Sequence, residues 1–372
     1  MKVLNIMSRF NVGGTSQWLY QLSRGLDERG ITNLLLVGNC SKGEQEDARL
    51  SKLNHKRIPG LGPGTSPIKT LSAFFALRRE IKKIDPDIIN THTSKAGVLG
   101  RLAAKTTRSR PKVIHTYHGH VLHGYFNPFT EYLIRSIEIF LGLFTDLFLV
   151  SGERVLAELK CARIIRNKPT RTIWPAVPEI KPGNRLSLRE SLGISGEAIV
   201  FGWLGRKVPI KRIDRILDLA KARPDYNFVL AGDGESIKKT YPDYFGSGEV
   251  PNLKELGYTS PSDLWAIADV CLLTSDNEAM PISPIEASLC SRPVIATDAG
   301  STSEVVIHGQ TGFIAFKDST ELLEFVDRLA QSKSLREKMG QAAHKFARSK
   351  FSPHLSIDYQ VDSYKSLLPN KF

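Results

Sequence analysis

The segment SDNEAMPISPIEASLC, residues 275–290, carries two glutamates, Glu278 and Glu286, separated by eight positions. It overlaps the apolar run DVCLLTS (269–275), which predicts a buried strand. Glu278 falls in the loop after that strand, beside the start of a helix whose positive end favours anions. Both carboxylates are therefore expected near one strand end, as two parts of a binding site.

A purely structural interpretation of Glu286 competes with this one. Ser283, Pro284 and Glu286 fit the N-cap, the first and the third positions of a helix. In such a capping box the glutamate bonds the backbone of the capping serine and binds no ligand. The local sequence leaves both interpretations open.

The segment WLGRKVPIKRID (203–214) places Arg206 and Lys211 in a loop after a predicted strand. Two cations at a strand end suit a diphosphate, which arginine can bind through two parallel hydrogen bonds. The alternative is an ordinary basic helix start, in which Arg212 and Arg215 are solvated neighbours.

Two further segments suit chemistry at strand ends. Gly13 and Gly14, in RFNVGGTSQW (9–18), permit close backbone approach to an anion at a helix start. They do not complete the dinucleotide fingerprint, so NAD binding is disfavoured and a plain tight turn fits equally well.

The histidine-rich segment HTYHGHVLHGYF (115–126) has no acidic or cysteine ligand nearby, which argues against a metal site. His118 closes a predicted strand and suits a donor to developing charge. For His120 and His123 an ordinary loop role is favoured.

The elements that position these residues alternate between strand and helix throughout the chain. Such alternation predicts parallel sheets covered by helices on both faces. The proline-rich stretch WPAVPEIKPGN, near 175–185, marks a linker. The sequence therefore predicts an α/β protein with two Rossmann-like doubly wound domains, residues 1–178 and 179–372, facing a central cleft that holds the site. The predicted strands are 2–7, 33–38, 87–92, 112–118, 146–151, 198–205, 227–232, 269–275 and 293–298.

Composition places the chain among soluble globular proteins. Of its 372 residues 41% are apolar, and its four cysteines form no Cys-x-x-Cys pair, which fits a reducing compartment. The start, MKVLNIMSRF, is typical of a first strand and not of a signal peptide. The apolar stretch 139–150 is too short to span a bilayer. A cytoplasmic protein is predicted.

Charge is concentrated in the first half. Residues 1–178 hold 27 lysines and arginines against 13 acidic residues, whereas the remainder holds 24 against 25. A basic surface attracts nucleic acid, anionic membranes or phosphorylated substrates, or merely aids solubility. Nucleic acid is disfavoured because the basic residues are dispersed and lack interleaved aromatic residues.

Taken in order along the chain, these segments resemble family 4 glycosyltransferases, retaining enzymes of the GT-B fold. The glutamate segment EAMPISPIE, followed by SRPVIATDAGSTSEVVIHGQTGF, is similar to the Glu-x7-Glu element of that family and its downstream strand. The other segments that carry the resemblance are Gly13-Gly14, His118 in YHG, Arg206 with Lys211, AGDGE (231–235) and ELGYTSPSDLWAIADV (255–270).

The resemblance implies a role for each candidate residue. Glu278 would contact the donor sugar, Glu286 the ribose, and Arg206 and Lys211 the diphosphate. The helix N-terminus at Ser283–Ile285 would also stabilise the diphosphate, and Ile282 and Ser283 would be among the residues that bind the nucleotide-sugar. Gly13 and Gly14 would let the backbone of the first domain approach the diphosphate. His118 would face the sugar. Tyr258 and Thr259 would lie beside the base.

The implied reaction transfers a sugar from a nucleotide-sugar donor, a UDP-sugar by default, to a saccharide acceptor, with retention of configuration and without a metal or other cofactor. The basic first domain would handle the acceptor, and the second the donor. Helix 67–85 sets basic residues beside an apolar face, which suits an anionic membrane surface and a lipid-linked acceptor in polysaccharide or glycolipid assembly. A last helix, about 353–368, would return to the first domain.

The chain departs from the family pattern at several positions. Ala279 and Met280 replace a frequent Gly-Phe pair, and Ser291 and Ser301 stand where glycine is common. These changes bear on donor identity. The alternatives are a nucleotide-sugar 2-epimerase on the same fold and a non-catalytic protein that binds nucleotide-sugars or lipid surfaces.

Overall fold

The computed structural model describes residues 1–119, 127–165, 167–246, 250–315 and 319–369. The chain forms two compact units. The first unit comprises Met1–Ala176 and Pro353–Phe372, and the second comprises Val177–Ser352. The division at residue 176 falls in the proline-rich linker, two positions before the predicted boundary.

The first unit is built on a seven-stranded parallel sheet of order β3-β2-β1-β4-β5-β6-β7. Its central strands are rich in branched apolar residues because both faces of the sheet are covered. The strands are β1 (Lys2–Met7), β2 (Thr32–Val37), β3 (His55–Arg57), β4 (Ile88–His92), β5 (Lys112–Tyr117), β6 (Leu147–Ser151) and β7 (Thr170–Ile173).

Helices cover both faces of this sheet. Among them, α1 and α14 share one apolar core, α2 and α3 share the core on the other face, and α4 packs beside α3. The helices of the first unit are α1 (Gly14–Glu28), α2 (Pro67–Ile84), α3 (Ser94–Lys105), α4 (Pro128–Gly142), α5 (Glu153–Cys161) and, after the second unit, α14 (Pro353–Lys365).

Helix α14 belongs to the core of the first unit although it follows the second unit in sequence. Tyr364 is fully buried, and its hydroxyl oxygen accepts a hydrogen bond from Nδ2 of Asn90 at 2.9 Å. Ile357 packs so closely on α1 that a Cβ at Gly25 would lie 2.3 Å from its side chain. This close approach explains a glycine within helix α1.

The second unit has a six-stranded parallel sheet of order β10-β9-β8-β11-β12-β13. Its strands are β8 (Val200–Leu204), β9 (Asn227–Ala231), β10 (Leu253–Leu256), β11 (Val270–Leu273), β12 (Val294–Thr297) and β13 (Gly312–Ala315). Its helices are α6 (Arg185–Ser191), α7 (Ile213–Ala222), α8 (Ile237–Thr240), α9 (Pro242–Phe245), α10 (Pro261–Ile267), α11 (Ile282–Leu289), α12 (Ser319–Gln331) and α13 (Lys333–Lys350).

The predicted fold class is confirmed, since both units are doubly wound parallel sheets with helices between the strands. All nine predicted strands are present, with ends shifted by one or two residues. The four strands that the sequence did not predict, β3, β7, β10 and β13, are the edge strands of the two sheets. They are only three or four residues long, and three of them carry charged residues, so they lack an apolar run.

The core of the first unit contains two buried histidines, His92 at the end of β4 and His115 within β5. Nδ1 of His115 lies 2.8 Å from the hydroxyl oxygen of Thr91, and Nε2 of His92 lies 3.2 Å from Oδ1 of Asn5. Burial lowers the pKa of both His92 and His115 well below the ordinary histidine value, because the charged imidazolium would lose its hydration. Both rings are therefore neutral in the folded protein at neutral pH.

These histidines predict that the first unit loses stability on acidification. The unfolded chain binds their protons at a pKa of about 6.5, whereas the folded chain resists protonation. The contribution of the neutral histidines to the free energy of unfolding is therefore complete above that pH. Below it, the free energy of unfolding falls by up to about 1.4 kcal/mol per pH unit for each histidine. Hydrogen-exchange protection of amides in β4 and β5 should drop accordingly between about pH 7 and pH 5.

Two variants separate this effect from general acid sensitivity. His115→Gln should flatten the pH dependence of protection, whereas His354→Gln, at an exposed histidine on α14, should leave it unchanged. Equal pH dependence in the His115→Gln variant and the wild type would contradict the assignment.

Candidate functional site

The candidate site of the second unit lies where the strand order of its sheet reverses. Strands β8 and β11 are neighbours, and the chain winds away from them in opposite directions. The loops at their carboxyl ends consequently lie together, at the point where open α/β sheets bind ligands. Among the hydrogen bonds that join these loops, two are accepted by main-chain carbonyls. The Asp276 amide donates to the Ile210 carbonyl at 2.9 Å, and Oγ1 of Thr274 donates to the Lys211 carbonyl at 3.0 Å.

Lys211 and Glu278, which the sequence assigned to adjoining parts of one ligand, are in direct contact. Nζ of Lys211 donates to Oε1 of Glu278 at 2.5 Å, and the hydroxyl of Ser275 donates to the same oxygen at 2.6 Å. Among the described residues both hydrogen bonds to this carboxylate fall on Oε1. The ion pair is largely buried, so its charges interact more strongly than a surface pair would.

Arg212 and Arg215 correct one sequence-based interpretation, because they are not solvated neighbours. Both donate to the carboxylate of Asp276, at 3.1 Å and 2.9 Å, and Arg215 is buried. Burial alone would raise the pKa of Asp276, but these two hydrogen bonds outweigh it and keep the pKa below its usual value. The arginines thus fix the loop that carries Glu278 in place.

Gly300 and Ser301 also hold this loop, although the sequence marked Ser301 only as a departure from the family pattern and gave Gly300 no role. The Ser301 amide donates to the Glu278 carbonyl at 3.0 Å. Gly300 has a left-handed backbone, φ 56°, and a Cβ there would lie 1.6 Å from the same carbonyl oxygen. The only sequence signal is a glycine after the predicted strand 293–298, in DAGSTSE, which is common in loops of many kinds.

Glu286 does not close the predicted capping box. Helix α11 begins at Ile282 with Pro281 in the N-cap position, so Ser283 is its second residue and Glu286 its fifth. The glutamate is only 3% exposed. Burial, and secondly the Glu286 carboxylate, raise the pKa of the Cys271 thiol well above its usual value, which places this charge beside β11. The structure therefore removes the cap interpretation.

The remaining candidates of the second unit lie on neighbouring loops at the same sheet edge. Arg206 is exposed, and no acidic residue in the described ranges pairs with it, whereas its neighbour Lys207 bonds Glu255 at 2.6 Å. Tyr258 is exposed after β10, and the Thr259 hydroxyl donates to the carbonyl of its own loop at Gly257. Ile282 and Ser283, at the start of α11, are half-buried.

In the first unit the strand order reverses between β1 and β4. Gly13 is the N-cap of α1 and Gly14 its first residue. A Cβ at Gly13 would meet nothing within 4 Å, so the space beside the start of this helix is open. His118 follows β5, on the strand next to β4, at the same edge of the sheet.

His118 is part of a hydrogen-bonded chain. Its Nε2 lies 2.9 Å from Nδ1 of His92, and Nε2 of His92 faces the oxygen of Asn5. With the Asn5 amide in this orientation, His92 donates to Asn5 and His118 donates to His92. Burial lowers the pKa of His118 to about 4, so the ring is neutral at pH 7. Its buried Nδ1, an acceptor in this tautomer, has no partner among the described residues.

The rest of the histidine-rich segment gives little evidence of metal binding. His115 is buried in the core against Thr91, and His120 and His123 lie outside the described residues. Within the described ranges no three side chains of His, Cys, Asp or Glu are grouped so as to hold a metal ion.

The contact between Gly300 and Glu278 predicts that Gly300→Ala strongly destabilises the second unit. A left-handed backbone costs a non-glycine residue about 1–2 kcal/mol, and the overlap with the Glu278 carbonyl adds about 1–3 kcal/mol. Gly309→Ala is the matched control, because Gly309 has φ 75° and open space around its Cβ position. Urea unfolding of both variants measures the difference, and equal losses would contradict the proposed contact.

Two family models match consecutive parts of the chain and together cover most of it. "Glycosyltransferase Family 4" matches residues 12–179, and "Glycosyl transferases group 1" matches residues 184–346. The boundary between them falls close to the division between the two units.

Individual relatives agree with the family models. The chain is 28% identical over 333 residues to the UDP-Gal:alpha-D-GlcNAc-diphosphoundecaprenol alpha-1,3-galactosyltransferase of Escherichia coli, covering 83% of this chain and 82% of that protein. It is 27% identical over 321 residues to the capsular polysaccharide biosynthesis glycosyltransferase CapM of Staphylococcus aureus, covering 82% of each.

Solved structures share the fold over the whole chain. Anabaena Alr3699/HepE in complex with UDP and glucose superposes with a TM-score of 0.80 at 20% identity, covering 98% of this chain and all of the other. The sucrose-phosphate synthase of Thermosynechococcus elongatus gives a TM-score of 0.84 at 17% identity, covering 99% and 100%. With its two doubly wound sheets and both family models matched in order, this chain belongs to the family 4 glycosyltransferases of GT-B fold.

Proposed function

We propose that this glycosyltransferase moves a sugar from a UDP-sugar to a lipid-linked saccharide during assembly of a cell-surface polysaccharide or glycolipid. The observation that carries the proposal is the contact of Lys211 with Glu278 where the second sheet reverses its strand order. The names of the relatives support the substrate classes. One uses UDP-Gal and a diphosphoundecaprenol acceptor, another serves capsular polysaccharide biosynthesis, and a solved neighbour holds UDP and glucose.

The diphosphate of the donor would bind Arg206 and Lys211. Arg206 is exposed and offers a planar fork of N–H groups that matches phosphate oxygens. Lys211 has three N–H donors, of which one is directed at Glu278, so two can reach phosphate oxygens. Glu278 would use Oε2 to accept hydrogen bonds from sugar hydroxyls, since its hydrogen bonds within the described chain fall on Oε1.

The reaction would be driven by stabilisation of the leaving group. Cleavage of the sugar–phosphate bond increases the negative charge on the diphosphate, and Arg206, Lys211 and the amides that open α11 at Ile282 and Ser283 would counter it. These groups can replace a divalent cation, and we therefore propose transfer without a metal. By resemblance to the family, the acceptor would attack from the face that the diphosphate leaves, with retention of configuration and with the phosphate accepting the acceptor proton.

By resemblance to the family, we also propose donor-binding roles for residues of the first unit. The open space at Gly13 leaves room for a diphosphate near the start of α1, whose first residue is Gly14. His118 would contact the sugar through Nδ1, because a buried acceptor without a partner is costly and a sugar hydroxyl would satisfy it. This role differs from the donor to developing charge that the sequence suggests, because the N–H of His118 is directed at His92 and leaves Nδ1 as an acceptor.

Recognition of the nucleoside would fall to Glu286, Tyr258 and Thr259. With the cap interpretation removed, we propose by resemblance to the family that the buried carboxylate of Glu286 is the ribose ligand. Tyr258 and Thr259 lie at the carboxyl end of β10 and would border the base through their loop.

Nucleotide binding is the first test of this site. We expect UDP to bind more tightly than GDP or ADP by calorimetry, and Glu286→Gln to weaken UDP binding about tenfold or more through loss of charged hydrogen bonds to the ribose. Glu337→Gln, at an exposed glutamate of α13, is the matched control and should bind as the wild type does.

The outcomes are separable. Unchanged UDP binding in Glu286→Gln would contradict the ribose role, and preference for GDP or ADP would contradict the UDP assignment. If no nucleotide binds, the non-catalytic lipid-surface protein becomes the better hypothesis.

Turnover tests the diphosphate site. Lys211→Ala should keep the fold but lower transfer to a lipid-linked saccharide by about 10²-fold, as expected for loss of one oxyanion donor. Lys207→Ala is the control, because Lys207 lies four positions away and pairs with Glu255. An active, folded Lys211→Ala variant would contradict the assignment.

The same assay distinguishes the remaining alternatives. In the presence of EDTA, the wild type should keep its full activity. A requirement for added metal would contradict the metal-free mechanism. Conversion of the donor to its 2-epimer without an acceptor would identify the epimerase instead.

A further inference from the structure

Helix α4 exposes a row of large apolar side chains that an ordinary surface helix would bury. Large apolar side chains point outward along its whole length, namely Phe129, Tyr132, Leu133, Ile137, Phe140 and the C-cap residue Leu143. The inward face instead buries Glu138, whose Oε2 accepts from Arg101 at 2.7 Å and from the Tyr117 hydroxyl at 2.6 Å. Surface helices normally turn the charged side to water, so another apolar medium is expected against α4.

Exposed apolar side chains also occur on α2, in the same layer of helices as α4. Helix α3 packs between α4 and α2, and α2 exposes Ile68, Leu71 and Phe75 in its first half. Nine of the thirteen large apolar side chains that are exposed among the described residues therefore belong to α2 and α4. We call these nine residues the apolar face. Such a concentration on one side distinguishes it from scattered surface leucines, which need no explanation.

Basic residues accompany the apolar face. Within the bounds of α2, α3 and α4 the exposed charges are all positive, namely Lys69, Arg78, Arg79, Lys82, Lys83 and Lys105, while Asp85, the C-cap residue of α2, is exposed and acidic. The acidic residues of these helices are Glu80 and Glu138, which are buried in ion pairs, and the half-buried Glu131. Apolar side chains with a border of lysine and arginine match the interface of a bilayer that contains anionic lipids.

We propose that the apolar face docks on an anionic phospholipid bilayer, with α4 lying in the interface and its aromatic side chains among the acyl chains. The sequence pointed to helix 67–85 for this purpose, whereas the structure assigns the larger apolar contribution to α4. The inference is consistent with a lipid-linked acceptor but does not depend on the identity of the donor.

Two other occupants fit the observations less well. A second copy of the chain would bring two faces with the same positive border together, which like-charge repulsion opposes. Full insertion is excluded for the described helices, since none of them is long and apolar enough to cross a membrane. A flat lipid surface, by contrast, matches both the outward side chains and the sign of the charge.

Flotation of the full-length protein with vesicles tests this proposal. The wild type should float with vesicles that contain phosphatidylglycerol and much less with pure phosphatidylcholine. The double variant Phe129→Asp/Phe140→Asp should lose most of the bound fraction, about tenfold or more, because charges replace the side chains that enter the acyl region. Lys82→Glu/Lys83→Glu should reduce binding to anionic vesicles only.

The matched control is Leu186→Asp, because Leu186 is 70% exposed in the second unit while Phe129 is 77% exposed in the first. This variant should float as the wild type does. All variants change exposed residues, and retained UDP binding verifies that they are folded. If the wild type does not bind UDP, the donor proposal fails, and circular dichroism then verifies that the variants are folded. Flotation still decides whether the apolar face docks on a bilayer.

Three results would overturn the inference. They are failure of the wild type to float with anionic vesicles, equal loss of flotation in Leu186→Asp, and a wild-type dimer that Phe129→Asp/Phe140→Asp converts to monomer without any vesicle binding. The last result would assign the apolar face to a second copy of the chain.

Discussion

The ion pair of Lys211 with Glu278 is the constraint around which the second unit is organised. Opposite charges that are largely withdrawn from water must stay close, and their loops come from different strands. The sheet meets this requirement by placing β8 and β11 side by side, and the arginines on Asp276 fix the second loop. An arrangement held this firmly before a ligand arrives does not have to be ordered at the moment of binding.

The backbone around Glu278 is fixed as firmly as its side chain. The Ser301 amide and the absent side chain of Gly300 hold the carbonyl of Glu278 from the β12 side of the sheet. Three successive strand ends, those of β8, β11 and β12, therefore determine the position of one glutamate. Substitutions after Glu278, such as Ala279 and Met280, can vary the contacts to a sugar without disturbing this framework.

Much of the fold and some of the site could be predicted from the sequence. The central strands are long apolar runs, and Lys211 and Glu278 follow two of them, so their meeting was predictable from the rule for parallel sheets. The edge strands could not be predicted, because a strand that pairs with only one neighbouring strand needs little apolar sequence, as LKEL and TRTI show. The capping box failed since helix α11 begins at Ile282, one residue before Ser283. The hydrogen bond between His92 and His118 joins two strands and leaves no local pattern.

The return of helix α14 to the first unit has a consequence for the order in which the protein folds. The ribosome releases residues 1–176 first, but their core lacks Tyr364 and Ile357 until α14 has been made. The second unit, made later, has all its strands and helices before α14 emerges. During synthesis the core of the first unit therefore stays incomplete where α14 will pack, while the second unit can complete its core. This order is the reverse of the usual one for a protein with two domains.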